Sequence, residues 1–153
     1  MTDQETARKQ ALLSMEKMIE GVIYDQLGGG FALYKTDAEW LAPHFEKMLY
    51  DNALLVGVMA EAYQVTGKKI YAVAIAQTLA FIEREMADEE GGFYSALAAD
   101  SEGVEGNFST WRKEEIVQIL EDGAAILCAF YVIIEGGNWH HTNILRITEH
   151  IEL

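Results

Sequence analysis

Apolar residues recur at helical spacing from Glu5 to Leu27, at Leu12, Met15, Ile19, Val22 and Ile23, opposite Arg8, Lys9, Glu16 and Lys17. This pattern predicts an amphipathic first helix. Pro43, the only proline, suits the first turn of a second helix that runs to about Val65 and stops at Thr66-Gly67, with Gly67 as its cap. The second half of that helix, Ala53 to Tyr63, is apolar on nearly every face and is expected to be buried all round. A third helix, about Lys69 to Met86, is more amphipathic, with Gln77, Arg84 and Glu85 available to face water.

Beyond Asp88 the helical period gives way to glycine and aromatic residues. Phe93 to Ala96, the acidic turn Asp100 to Gly106 and then Asn107 to Trp111 suggest a small β-hairpin. Lys113 to Leu120 and Asp122 to Ile134 read as two short helices broken at Glu121-Asp122-Gly123, followed by Gly136-Gly137-Asn138-Trp139 and a short apolar alternation.

Two glycine-aromatic signatures, Gly28-Gly29-Gly30-Phe31 and Gly91-Gly92-Phe93-Tyr94, stand in register, Phe31 and Phe93 being 62 positions apart. Helix pairs repeating at that interval describe an α/α toroid. A ring of six such pairs needs roughly 370 residues, so this chain, read as one unit over 1–153, is expected to be all-α and to form a partial toroid with a small β-hairpin. Such an arc is a fragment, with apolar edges through which self-association is expected.

Composition narrows the function. Half the 153 residues are hydrophobic, enough for a substantial core, while 25 acidic against 11 basic residues leave a net charge of −14. That charge repels phosphate backbones and anionic lipid, which argues against nucleic-acid and membrane partners. The N-terminal ten residues lack the apolar core of a signal peptide and no apolar stretch reaches about 18 residues, so a cytoplasmic location is expected. Cys128, the single cysteine, sits in an apolar run and reads as a buried, inert thiol. No cofactor and no metal is expected: Asp100 to Gly106 fails the calcium-loop pattern, His140-His141 diverge in any regular structure, and the triple glycine matches no nucleotide loop.

On a helix starting at Pro43, His44, Lys47 and Asp51 fall at i, i+3 and i+7 and share one stripe, a base, a cation and a carboxylate near the N-terminal end. The preceding loop adds Tyr34, Asp37, Glu39 and Trp40. Aromatic and polar groups converging on free backbone N–H groups suit a hydroxyl-rich or anionic ligand, and a carbohydrate is the expected one. Asp25 and Asp100 are candidates for a second carboxylate opposing Asp51, as glycoside hydrolysis requires. His44, Asp51, Asp25 and Asp100 are thus the candidate catalytic residues, and Tyr34, Trp40, Lys47, Tyr50, Asn52 and Trp111 the candidate substrate-binding ones. The competing reading makes His44 a loop cap, Asp51 a partner of neighbouring backbone and the stripe a solvated edge, with Asp25 and Asp100 ordinary turn residues.

Taken together, Tyr24 to Phe31, Trp40 to Ala53 with its His44-Phe45-Glu46-Lys47-Met48-Leu49-Tyr50-Asp51-Asn52 core, Gly91 to Ala96, Asp100 to Gly103 and Gly137-Asn138-Trp139 resemble the family of thioredoxin-domain-containing proteins related to the spermatogenesis-associated thioredoxin-like protein. The resemblance covers about Gly21 to Leu145. It implies a toroid similar to N-acylglucosamine 2-epimerases and six-hairpin glycosidases, of which this chain matches the first part, without the thioredoxin-like domain. The chain departs from that family at Ala98, where an aspartate is usual, and at Ser109-Thr110, where an aromatic and an aliphatic residue are usual. Two function classes follow: a carbohydrate-active enzyme (epimerase, isomerase or hydrolase), inactive as an isolated piece, or a non-catalytic ligand-binding or scaffolding module.

Overall fold

A computed structural model describes residues 3–35 and 42–147. The first helix, α1 (Asp3–Glu20), carries Asp3 and Glu5 in its first turn and Lys17 in its last, which suits its macrodipole. It ends earlier than its apolar spacing suggests. Val22 and Ile23 continue the buried face beyond the helix, in a turn where Tyr24 pairs with Phe31.

Between that turn and the next long helix the chain is extended. Strand β1 (Tyr34–Lys35) pairs antiparallel with β2 (Pro43–His44), and β3 (Lys47–Met48) pairs with β4 (Ala96–Leu97). The helix expected from Pro43 therefore begins only at Leu49. It forms α2 (Leu49–Thr66), and Gly67 caps it as expected, at φ 68° with its N–H donated to the Tyr63 carbonyl. Helix α3 (Lys69–Phe81) turns back against α2 and passes into a π-helical turn, Ile82–Met86.

The acidic hairpin forms within the predicted turn: β5 (Asp100–Ser101) pairs with β6 (Val104–Glu105), while Ala96 belongs to the β3–β4 ladder instead. Helix α4 (Lys113–Leu120) has the predicted bounds. After a 3-10 turn at Glu121–Gly123, α5 (Ala124–Phe130) is shorter than expected. The fold is thus predominantly helical, with three two-stranded ladders among the described residues.

Three apolar clusters hold these pieces. Met15 and Ile19 of α1, Phe31, Met59 and Ala62 of α2, and Tyr71 and Ala74 of α3 form the largest. Val22, Ala42, Phe45 and Ile144 form a second, and Ile116, Ala124, Ile133 and Leu145 a third, on which Cys128 packs half-buried. Tyr71 donates to Glu16 Oε1 at 2.9 Å and Lys68 reaches the same carboxylate at 2.7 Å, tying α3 to α1.

Helix α2 is not buried all round: Leu54 is 67% and Val65 60% exposed, and Val58 also faces outward. Gly57 stands beside Val58, and a Cβ added to it would meet no atom within 4 Å. A mid-helix glycine in open space loses helix propensity and gains no contact, so Gly57→Ala is expected to stabilise this chain by about 1 kcal/mol. Urea unfolding followed by circular dichroism would show a higher midpoint; a lowered midpoint would mean that the position is covered.

Candidate functional site

A cleft of about 760 Å³ opens between the Tyr24–Gly28 turn, the extended segment from Pro43, the π-helical turn after α3, the loop from Asn107 to Trp111 and α4. Its geometry follows from local chemistry. Asp25 Oδ1 accepts from the backbone N–H groups of Leu27 at 3.1 Å and Gly28 at 2.8 Å, an aspartate turn that shapes one wall. Its other oxygen, Oδ2, accepts from Lys47 Nζ at 2.8 Å. Lys47 also donates to the Gly29 carbonyl at 2.9 Å and sits 4.4 Å above the Phe81 ring.

Close approaches at the cleft require glycine at Gly30 and Gly106, among other positions. A Cβ on Gly30, at φ 82°, would collide with the Phe81 ring, and one on Gly106, at φ 70°, would collide with the Phe45 ring. The second contact lets the acidic hairpin close down beside Phe45, at the edge of the cleft.

Pro43, Phe45 and Lys47 all line this cleft, alternating as residues of an extended chain do. His44, three positions from Lys47, consequently belongs to the other face. The helical stripe of His44, Lys47 and Asp51 is therefore corrected: only Asp51 lies in a helix, in the first turn of α2. His44 stands opposite Tyr34 in the β1–β2 ladder, with the two rings 5.1 Å apart. Neither His44 nor Asp51 lines the cleft. Each holds one buried polar atom, Nδ1 of His44 and Oδ2 of Asp51, without a hydrogen-bond partner among the described residues.

The remaining candidates separate in the same way. Asp25, Lys47 and Trp111 line the cleft; Tyr34, Tyr50, Asn52 and Asp100 do not. Asn52 is fully buried, accepting from the Phe31 N–H at 2.6 Å and donating to the carbonyls of Phe31 at 3.0 Å and Met48 at 2.9 Å. Tyr34 and Tyr50 are about half exposed, and Asp100 is exposed, facing Glu105 across the hairpin. Trp40, Asp37 and Glu39 lie outside the described residues.

Sequence reasoning missed Arg84, Glu102, Asn107, Phe108, Ser109 and Thr110, all of which line the cleft. A polar run interleaved with Phe108 and Trp111 was the available signal, but it reads equally well as hairpin flank. Trp111 is fixed by reciprocal backbone bonds with Asn143, at 2.9 and 2.6 Å. Arg84 donates from Nε to Glu85 at 2.7 Å and from Nη2 to the Gly28 carbonyl at 2.8 Å. Burial, and after it the Asp25 carboxylate, holds the Tyr24 phenol above its ordinary titration range, so it remains a donor to Gln77 Oε1 at 2.6 Å. Among the described residues no cluster of three or more potential metal ligands occurs, and no helix is long and apolar enough to cross a membrane.

No family model matches the chain. A solved structure of a D-mannose isomerase superposes with a TM-score of 0.46 and 16% identity, over 80% of this chain and 36% of that one. An uncharacterized protein of Caenorhabditis elegans is 34% identical over 140 residues, taking in 82% of this chain and 19% of its own. Spermatogenesis-associated protein 20 of mouse is 34% identical over 177 aligned residues, covering 99% of this chain and 22% of the mouse protein; the human protein is 36% identical over 152 residues, 89% of this chain and 19% of its own. The chain spans about a fifth of the length of these curated relatives. Over almost all of its residues, then, the chain is homologous to a segment of spermatogenesis-associated protein 20.

Proposed function

We propose that this chain is one part of a carbohydrate-active helical toroid, of the sugar-isomerase, epimerase or glycosidase kind, and that its cleft holds a polyhydroxylated ligand. The observation that carries this reading is the make-up of the cleft: the rings of Trp111, Phe108 and Phe45 beside the short polar side chains of Asn107, Ser109 and Thr110. Flat aromatic faces suit the C–H face of a sugar ring, and nearby hydroxyl and amide groups suit its hydroxyls.

In the catalytic form of this reading His44 is the general base and Asp51 a catalytic carboxylate, both standing outside the cleft of this chain. Their buried, unpartnered atoms support those roles, because such groups are costly unless something else engages them. Asp25 is less suited to proton transfer, since both of its oxygens already accept bonds. Asp100 stands on the exposed hairpin. The isolated chain is expected to bind without turnover, and its exposed α2 face to associate with another copy at high concentration.

A specific observation favours the second reading, a non-catalytic binding module: neither His44 nor Asp51 lines the cleft. Titration calorimetry with neutral hexoses, run beside NMR spectra of the same mixtures, tests the binding that both readings require. Saturable heat with unchanged sugar is the expected outcome for this chain, and Trp111→Ala should weaken binding about 5- to 10-fold. Absence of saturable heat with any hexose, with the helical spectrum intact, would remove the cleft from consideration. In a full-length relative, His44→Ala and Asp51→Asn at the equivalent positions should each abolish turnover while sparing the fold; retained turnover in both would overturn the His44 and Asp51 assignment, whereas saturable sugar binding without turnover in the unaltered relative would point to the binding module.

A further inference from the structure

The charges around the cleft are arranged unevenly, and the imbalance bears on which sugars would enter. Among the described residues, both cations on its walls are already committed. Lys47 is held by Asp25 Oδ2, by the Gly29 carbonyl and over the Phe81 ring; Arg84 is held by Glu85 Oε1 and the Gly28 carbonyl. Pairing consumes Asp25 and Glu85 as well. Two further carboxylates line the cleft, Glu102 and Glu115, and among the described residues neither is in an ion pair.

Among the described residues Glu115 accepts the neutral backbone N–H of Arg112, at 2.8 Å, closing the cap of α4. Glu102 stands in the bend between β5 and β6 at φ 56°, a left-handed conformation that a non-glycine residue adopts at some cost. The described lining of the cleft therefore keeps net negative charge after its internal pairs are formed, inside a chain of net charge −14. The side chains of Asn107, Ser109 and Thr110 are left to pair with hydroxyl groups of a ligand.

We propose that the cleft selects a polyhydroxylated ligand bearing a protonated amine, of the amino-sugar class, and turns away phosphorylated and carboxylated sugars. This rests on the carbohydrate reading of the cleft given above. A phosphate would meet two carboxylates that have no cation to spare, whereas an ammonium group would find a counter-charge beside the aromatic wall.

Calorimetric titration of the chain with glucose, glucosamine and a hexose phosphate at low ionic strength tests it. Glucosamine should bind about 5-fold more tightly than glucose, a preference of the size expected for partly exposed charges, and the advantage should shrink as salt approaches about 0.5 M. The hexose phosphate should bind more weakly than either. Glu102→Gln should lower the glucosamine-to-glucose affinity ratio. If glucose binds but glucosamine binds no better, or if the hexose phosphate matches glucose, the charge selection is overturned while the carbohydrate reading stands. If no sugar binds at all, the carbohydrate reading falls and this inference falls with it.

Discussion

Asn52→Ala is expected to destabilise the fold by about 3 to 4 kcal/mol, the largest single effect among the substitutions considered. The side chain has no exposed surface and spans two segments. It accepts the Phe31 N–H and donates to the carbonyls of Phe31 and Met48, so it ties the glycine turn to the first turn of α2. Alanine removes all three bonds and leaves the Phe31 N–H buried without a partner, at about 1 to 3 kcal/mol for that group alone. The small cavity left behind adds to it. Because Phe31 packs on Tyr24, and Tyr24 and Asp25 line the cleft, the same change should weaken ligand binding from a distance. Urea unfolding monitored by circular dichroism measures the loss; a decrease below about 1 kcal/mol would show that the turn holds without this bracket.

Lys47→Ala should cost about 3 kcal/mol, and a second substitution should recover part of that loss. The ammonium group is largely buried, with 10% of the side chain exposed against 22% for Asp25. Removing it strands a partly buried carboxylate, which is the costly half of a broken buried pair. Asp25→Asn in the same chain removes that charge. It also keeps an oxygen able to accept from the N–H groups of Leu27 and Gly28, so the turn retains its bonds. The double variant is therefore expected to be more stable than Lys47→Ala by about 1 to 2 kcal/mol. If it is less stable than Lys47→Ala, the carboxylate is not the origin of the penalty and the Asp25–Lys47 pair contributes little to the fold.

The local signals in the chain were those with a local cause. Gly67 ends α2 because its left-handed conformation closes the last turn, and a glycine after an apolar run carries that information by itself. Helix α4 has legible bounds because its apolar positions recur at helical spacing and Glu115 bonds back to the Arg112 N–H. The hairpin was legible as a turn but not as a register. Its strands lie inside the acidic segment, and Ala96 is taken by a partner from another part of the chain.

The segment from Pro43 to Met48 resisted local reading for the same reason. Proline followed by a helix-compatible sequence fits a helix start as well as it fits an edge strand, and what decides between them is pairing with Tyr34–Lys35 on one side and Ala96–Leu97 on the other. The change from a helical to an extended period then parts His44 from Lys47. In a helix, positions three apart share a face; in an extended chain they lie on opposite ones. One turn of backbone in a different conformation thus took apart the stripe of His44, Lys47 and Asp51.

From the amino-acid order alone came the helical character, the Gly67 cap, the net charge of −14, and the small set of polar and aromatic residues worth watching. These depend on short-range spacing and on total charge, which any conformation of the chain retains. Tertiary structure alone decided that Lys47 and Asp25 neutralise one another, that Asn52 brackets a turn, and that the cleft is lined by Trp111 and the loop before it rather than by His44 and Asp51. Those outcomes depend on contacts between residues far apart in sequence, whose strength is set by burial and distance and leaves no periodic trace along the chain.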